Sequence, residues 1–136
     1  MANYELYKNI DPGSITSATS SIRQKITTNQ TKLQSFDASL TDSMWKAACK
    51  ATLKEAFGKI DGEVYPEILA GLDALDTAAG LVEKYNAAKA DALTYKGYLA
   101  NATEDTPQSD INTWKLNLES KEQIMEDCES KINGLK

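Results

Sequence analysis

The sequence predicts an all-α protein: an antiparallel helical hairpin with a Trp-centred turn plus a third C-terminal helix, arranged as an elongated coiled-coil-like bundle. Three observations carry this expectation. Apolar residues recur at spacings of three, four and seven on both sides of Trp45, the period of a helix face rather than of a strand. Only 3 prolines and 7 glycines interrupt the 136 residues, which favours long elements over a loop-rich fold. Beyond the hairpin, the clearest loop-forming run is Asn101-Ala102-Thr103-Glu104-Asp105-Thr106-Pro107, which separates a third periodic stretch from the second.

A single helical domain spanning 1–136 is expected, and its elements follow in order. Residues 1–10 form an arm whose Tyr4, Leu6, Tyr7 and Ile10 can pack on the bundle. Asp11-Pro12-Gly13-Ser14 is a helix-start signal, with Asp11 or Ser14 as the cap and proline tolerated in the first turn. Helix one covers 14–41. Its seam reads Ile15, Thr19, Ile22, Ile26, Asn29, Leu33, Phe36 and Leu40, alternating four and three as a narrow coiled-coil stripe does. Thr19 and Asn29 are the polar positions of that seam; either they fix its register or they face the rim. The same helix is crowded with Ser and Thr, so tertiary packing has to stabilise it.

Helix two covers 47–100, with Leu53, Phe57, Ile60, Val64, Ile68, Leu72, Leu75, Ala79, Val82 and Tyr85 as its apolar row. Pro66 lies inside it. A proline there removes one hydrogen bond and crowds the carbonyl four residues earlier, that of Gly62, so a kink near Pro66 is expected rather than a break. Helix three covers 108–134, with Ser109 or Asp110 as its cap. Its seam is Ile111, Trp114, Leu118, Lys121, Met125, Cys128, Ile132 and Leu135, in which Lys121 should reach its ammonium to the rim. The opposite face carries Glu119, Glu122, Glu126, Asp127 and Glu129, either a solvated face or an acidic recognition surface.

Composition narrows the function classes. The formal charge is −5, without a basic stripe, which argues against nucleic acid as a partner because phosphate contacts need clustered Lys and Arg. No apolar run approaches the roughly 20 residues of a membrane span. Met1-Ala2-Asn3-Tyr4-Glu5 has neither a basic nor an apolar leader region, so export, if it occurs, is expected without a cleavable signal peptide. With no histidine, no Gly-rich phosphate loop and no paired-carboxylate motif, no catalytic role is expected. Nor are a cofactor or a metal expected, because there is no Cys-x-x-Cys either. Cys49 and Cys128 read as packing residues rather than a disulfide framework.

A two-helix hairpin buries only one side of each seam. The pairing seam expected to take up a second helical element is Ile22, Ile26, Leu33, Phe36, Leu40 and Phe57, with Phe36, Leu40, Trp45 and Phe57 clustered at the corner.

Thr41-Asp42-Ser43-Met44-Trp45-Lys46-Ala47-Ala48, followed by Phe57, resembles the WXG family of small bacterial substrates of type VII (ESX-pathway) secretion. The likeness covers roughly Ile10 to Leu99, about two thirds of the chain by its helix pattern. It implies a Trp-centred turn between two antiparallel helices and dimeric pairing into a four-helix bundle. It also implies that Trp45, Lys46 and Ala47 form a turn motif that the secretion ATPase could read. Ala47 stands where the family motif has glycine, so this turn must avoid the positive φ that glycine allows. The family's export signal, a Tyr followed four residues later by an acidic residue, is not found just after helix two: Tyr85 precedes Lys89 and Tyr95 precedes Leu99 at that spacing. That points to a partner as carrier of the signal. The implied function is an exported substrate, or a helical partner or targeting factor for a larger secreted effector. Its partners would be itself or another helical-hairpin protein, and its location secreted, or cytoplasmic before export. The alternative is a non-secreted structural coiled-coil or adaptor protein.

Overall fold

The computed structural model describes residues 3–39 and 50–135, with side chains described for 4–36, 38–39 and 54–135. The chain is all-α: among the described residues every regular element is helical. Helix α1 is Asn3–Tyr7, α2 is Pro12–Ser39 and α3 is Lys50–Lys59. A π turn, Ile60–Val64, joins α3 to α4, Tyr65–Ala100, and α5 is Gln108–Asn133. The expected corner, including Leu40, Trp45, Lys46, Ala47 and Cys49, lies outside the described residues.

Local chemistry explains the element ends. Asp11 is the cap of α2: its carboxylate accepts the Gly13 N–H at 3.2 Å, with Pro12 in the first helical position, where its missing N–H costs nothing. At α5 the cap is Pro107, with an extended ψ of 134°, rather than Ser109 or Asp110. Its carbonyl accepts the N–H groups of Asp110 and Ile111, so both predicted caps fall inside the first turn. The loop before it closes on itself, the Thr103 N–H donating to the Thr106 hydroxyl at 2.9 Å.

The disturbance expected at Pro66 takes the form of the π turn. Pro66 has no N–H to offer the Gly62 carbonyl, and the Tyr65 N–H bonds the carbonyl of Ile60, five residues back. This changes which residues face inward. The row through Val64 and Ile68 does not continue the seam: these side chains are 45% and 40% exposed, whereas Tyr65 and Leu69 are half-buried and Leu72 is buried. The extra residue in the turn rotates the following helix relative to α3, and the sequence period alone does not register that rotation.

The chain divides into two compact units. In Ser14–Asp76, α2 runs antiparallel to α3 and the start of α4: Phe36 meets Phe57, Gln30 meets Asp61, Arg23 meets Asp73, and Thr19 meets Asp76. The hairpin thus has the predicted antiparallel sense. Among its described residues, Thr19, Ile26 and Leu72 are buried.

The second unit, Met1–Gly13 with Thr77–Lys136, pairs the rest of α4 with α5 and seats α1 on α5. Its core is Ala78, Ala79, Val82, Ala88, Ala92, Cys128 and Ile132. Four of these seven are alanines, which put little side-chain bulk into this core. The antiparallel sense shows in the contacts of Lys121 with Asp91 at 2.8 Å, Lys96 with Glu122 at 3.0 Å, and Tyr98 with Trp114 at 5.3 Å between rings. Lys121 lies in the seam and carries its ammonium out to Asp91, whose hydrogen bond holds the lysine above its usual pKa. The predicted arm is a short helix, held by the Tyr4 ring 5.1 Å from that of Tyr85 and by the Tyr4 N–H donating to the Asn133 side chain. Burial, then the hydrogen bond with Tyr85, raises the Tyr4 phenol above its ordinary range.

Candidate interaction surface

The surface is built on the hairpin of Ser14–Asp76, beginning with a polar lock that sets its register. Thr19 is nearly fully buried on α2. Its hydroxyl lies 3.0 Å from the Thr16 carbonyl and 2.5 Å from Asp76 Oδ1 on α4. Arg23, one turn later, reaches Asp73 Oδ1 at 2.6 Å and Asp76 Oδ2 at 3.0 Å through the same guanidinium nitrogen. The Thr19 hydrogen bond, with Arg23 adding to it, holds the Asp76 carboxyl below its usual range against partial desolvation. A slip by one residue would part the hydroxyl, the guanidinium and both carboxylates together. Thr19 is therefore the seam position that fixes register, while Asn29 is exposed.

Helix α2 handles its many hydroxyls locally. Thr27 and Thr31 donate to the carbonyls of Arg23 and Thr27, four residues back. These bonds leave the long apolar side chains to decide how the helix packs.

The predicted pairing residues separate into two groups. Ile26 is buried within the hairpin, and Leu33 and Phe57 are half-buried. Ile22 and Phe36 stay 41% and 46% exposed, although Phe36 meets Phe57 edge to face at 6.1 Å. Val64 and Ile68, which belong to the apolar row expected for helix two, are surface residues because of the π turn. Beside Phe36 lies a groove of about 470 Å³ lined by Asn29, Lys32, Leu33, Phe36, Ile60 and Tyr65. A second, bordered by Gln30, Leu33, Lys54, Phe57 and Asp61, is crossed by the Gln30–Asp61 hydrogen bond of 2.7 Å. The first groove is the more apolar in its side chains and adjoins exposed Phe36. Open to solvent, with Leu33, Phe36, Ile60 and Tyr65 as four of its six lining residues, it suits the ridge of another helix better than a small polar molecule.

Among the described residues, no group of three or more Cys, Asp or Glu side chains is placed to hold a metal ion. No described helix is long and apolar enough to cross a membrane. The acidic residues of α5 are partly engaged, Glu122 with Lys96 at 3.0 Å and Asp127 with Gln123 at 3.2 Å. Searches against family models, curated proteins and solved structures returned no match to this chain.

Proposed function

We propose that the protein is a WXG-like component of a type VII secretion pathway, serving as an exported substrate or as the helical partner that brings a larger effector to the machinery. Its mechanism is non-catalytic pairing of helical hairpins, with no cofactor. The reading rests on the Trp45-Lys46-Ala47 resemblance. The single observation that supports its pairing mechanism is the exposed apolar set Ile22, Phe36, Val64 and Ile68 on an antiparallel hairpin. Such a set, covered by a second hairpin, would form a four-helix layer with an apolar centre. The secretion ATPase and a signal-bearing effector are the further partners this reading calls for.

The test is export. The chain, co-expressed with the secretion machinery and its candidate partner, should appear outside the cell only when the ATPase is active, and Trp45→Ala should reduce that export. Retention in the cell with pairing intact would favour the non-secreted adaptor instead.

A further inference from the structure

Among the described residues, the largest fully buried side chains are Ile132, Val82 and Cys128, and all three belong to the unit of α1, α4 and α5. Elsewhere in the same seam of α5, Ile111, Trp114, Leu118 and Met125 are only half-buried. A fully buried side chain is surrounded on all sides, whereas a pair of helices leaves its seam open along both flanks. Complete burial at Val82, Cys128 and Ile132 therefore calls for a third element.

Helix α1 is that element. The Tyr4 N–H donates to the Asn133 side chain at 2.8 Å, and the Tyr4 ring stands 5.1 Å from that of Tyr85. Glu129, one turn before Asn133 on α5, brings its charge beside the Tyr4 phenol, adding to burial and the Tyr85 hydrogen bond in raising it. The pairing of Lys121 with Asp91 and of Trp114 with Tyr98 sets Cys128 opposite Lys84 and Ile132 opposite Gly80. Asn133 and Tyr85 thus bracket the level of Val82, Cys128 and Ile132, and α1 crosses the pair where its core is closed.

Little holds α1 there. Its five residues are too few to sustain a helix in water by themselves. Tyr4 and Tyr7 are only half-buried, Leu6 is 57% exposed, and the Glu5–Lys8 ion pair is made next to the helix itself. The chain between Tyr7 and Pro12 serves as a hinge, because α2 begins on its own Asp11 cap and does not need α1. We propose that α1 is a clasp that opens by itself while α4 and α5 stay folded, and that its opening exposes Val82, Cys128 and Ile132. Closed, it shields an apolar cleft and a thiol; open, it presents both to solvent. This device is independent of hairpin pairing and of export.

Thiol labelling of the full-length protein tests this, with Cys49→Ser so that Cys128 alone reacts. Cys128 should react with a small disulfide reagent through a local opening whose rate depends only weakly on urea. Tyr4→Ala should speed the reaction roughly tenfold, the scale of one aromatic pair with its hydrogen bond. Helicity by circular dichroism and the urea midpoint should stay nearly unchanged. Asn133→Ala should speed labelling less, and Leu6→Ala not at all. Tyr4→Phe, which keeps the ring and loses the hydroxyl, should fall between wild type and Tyr4→Ala, and it carries the test if the alanine variant does not fold. Labelling unmoved in both Tyr4 variants would overturn the inference. So would a rate with the same steep urea dependence as global unfolding, because α1 would then be an inseparable part of the core.

Discussion

The Thr19 hydroxyl and the Asp76 carboxylate meet at 2.5 Å across the hairpin, joining one of the few buried positions of α2 to α4. Aliphatic contacts between two helices tolerate sliding by a turn, whereas this pair, with Arg23 beside it, is satisfied in only one register. It is the feature that most specifies the hairpin.

Thr19→Val keeps the volume and removes the donor. It should lower the urea midpoint of unfolding with little change in slope, and the loss should not add to that of Asp76→Asn, because the two act through one bond. Additive losses would show that the lock does not act as a unit.

Acid should weaken the same contact. Asp76 has a folded pKa held below its unfolded value, so its contribution is present above the ordinary carboxylate pKa of about 3.9 and is lost as pH falls below it through the folded value. Unfolding measured across that window should show a shallower acid dependence for Asp76→Asn than for wild type. Parallel pH profiles would contradict the assignment.

Much of this was legible in the sequence. The three–four periodicity places Ile26, Val82, Cys128 and Ile132 inward, and all four are buried. Lys121 as a rim-reaching lysine was likewise readable, since it interrupts an apolar row; Thr19 and Asn29 both interrupt the row of α2, and the sequence leaves open which of them, if either, sets the register. The rows failed at Val64 and Ile68, because period analysis assumes a constant number of residues per turn and the π turn breaks that assumption. Pro66 located the disturbance, but its sequence signature is the same for a kink and for a π turn. The cap at Pro107 was missed because it uses a backbone carbonyl, leaving no side-chain signal at Ser109 or Asp110.

Core and surface should respond differently in the unit containing α5. Ile132 is fully buried, so Ile132→Ala should cost about 2–5 kcal/mol. Leu116, on the same helix and 67% exposed, should change stability by less than about 0.5 kcal/mol when cut to alanine. Denaturant titration of both variants checks the assignment of faces on α5.

Gly71 lies inside α4, with nothing within 4 Å of where a Cβ would stand. Gly71→Ala should therefore raise stability by roughly 0.5–1 kcal/mol through helix propensity. A loss would mean that this position is covered in the folded state.

The flank turned outward by the π turn, with Val64 and Ile68 exposed, is the proposed pairing surface. The most direct measurement is the solution mass of wild type, alone and co-expressed with its candidate helical partner, against that of a Val64→Lys, Ile68→Lys variant. Both positions are exposed, so the variant should keep its helicity. Wild type should be paired, and the variant should run as a 14.9 kDa monomer with or without the partner. A wild type that remains monomeric in both conditions, or a variant that pairs as well as wild type, would contradict it.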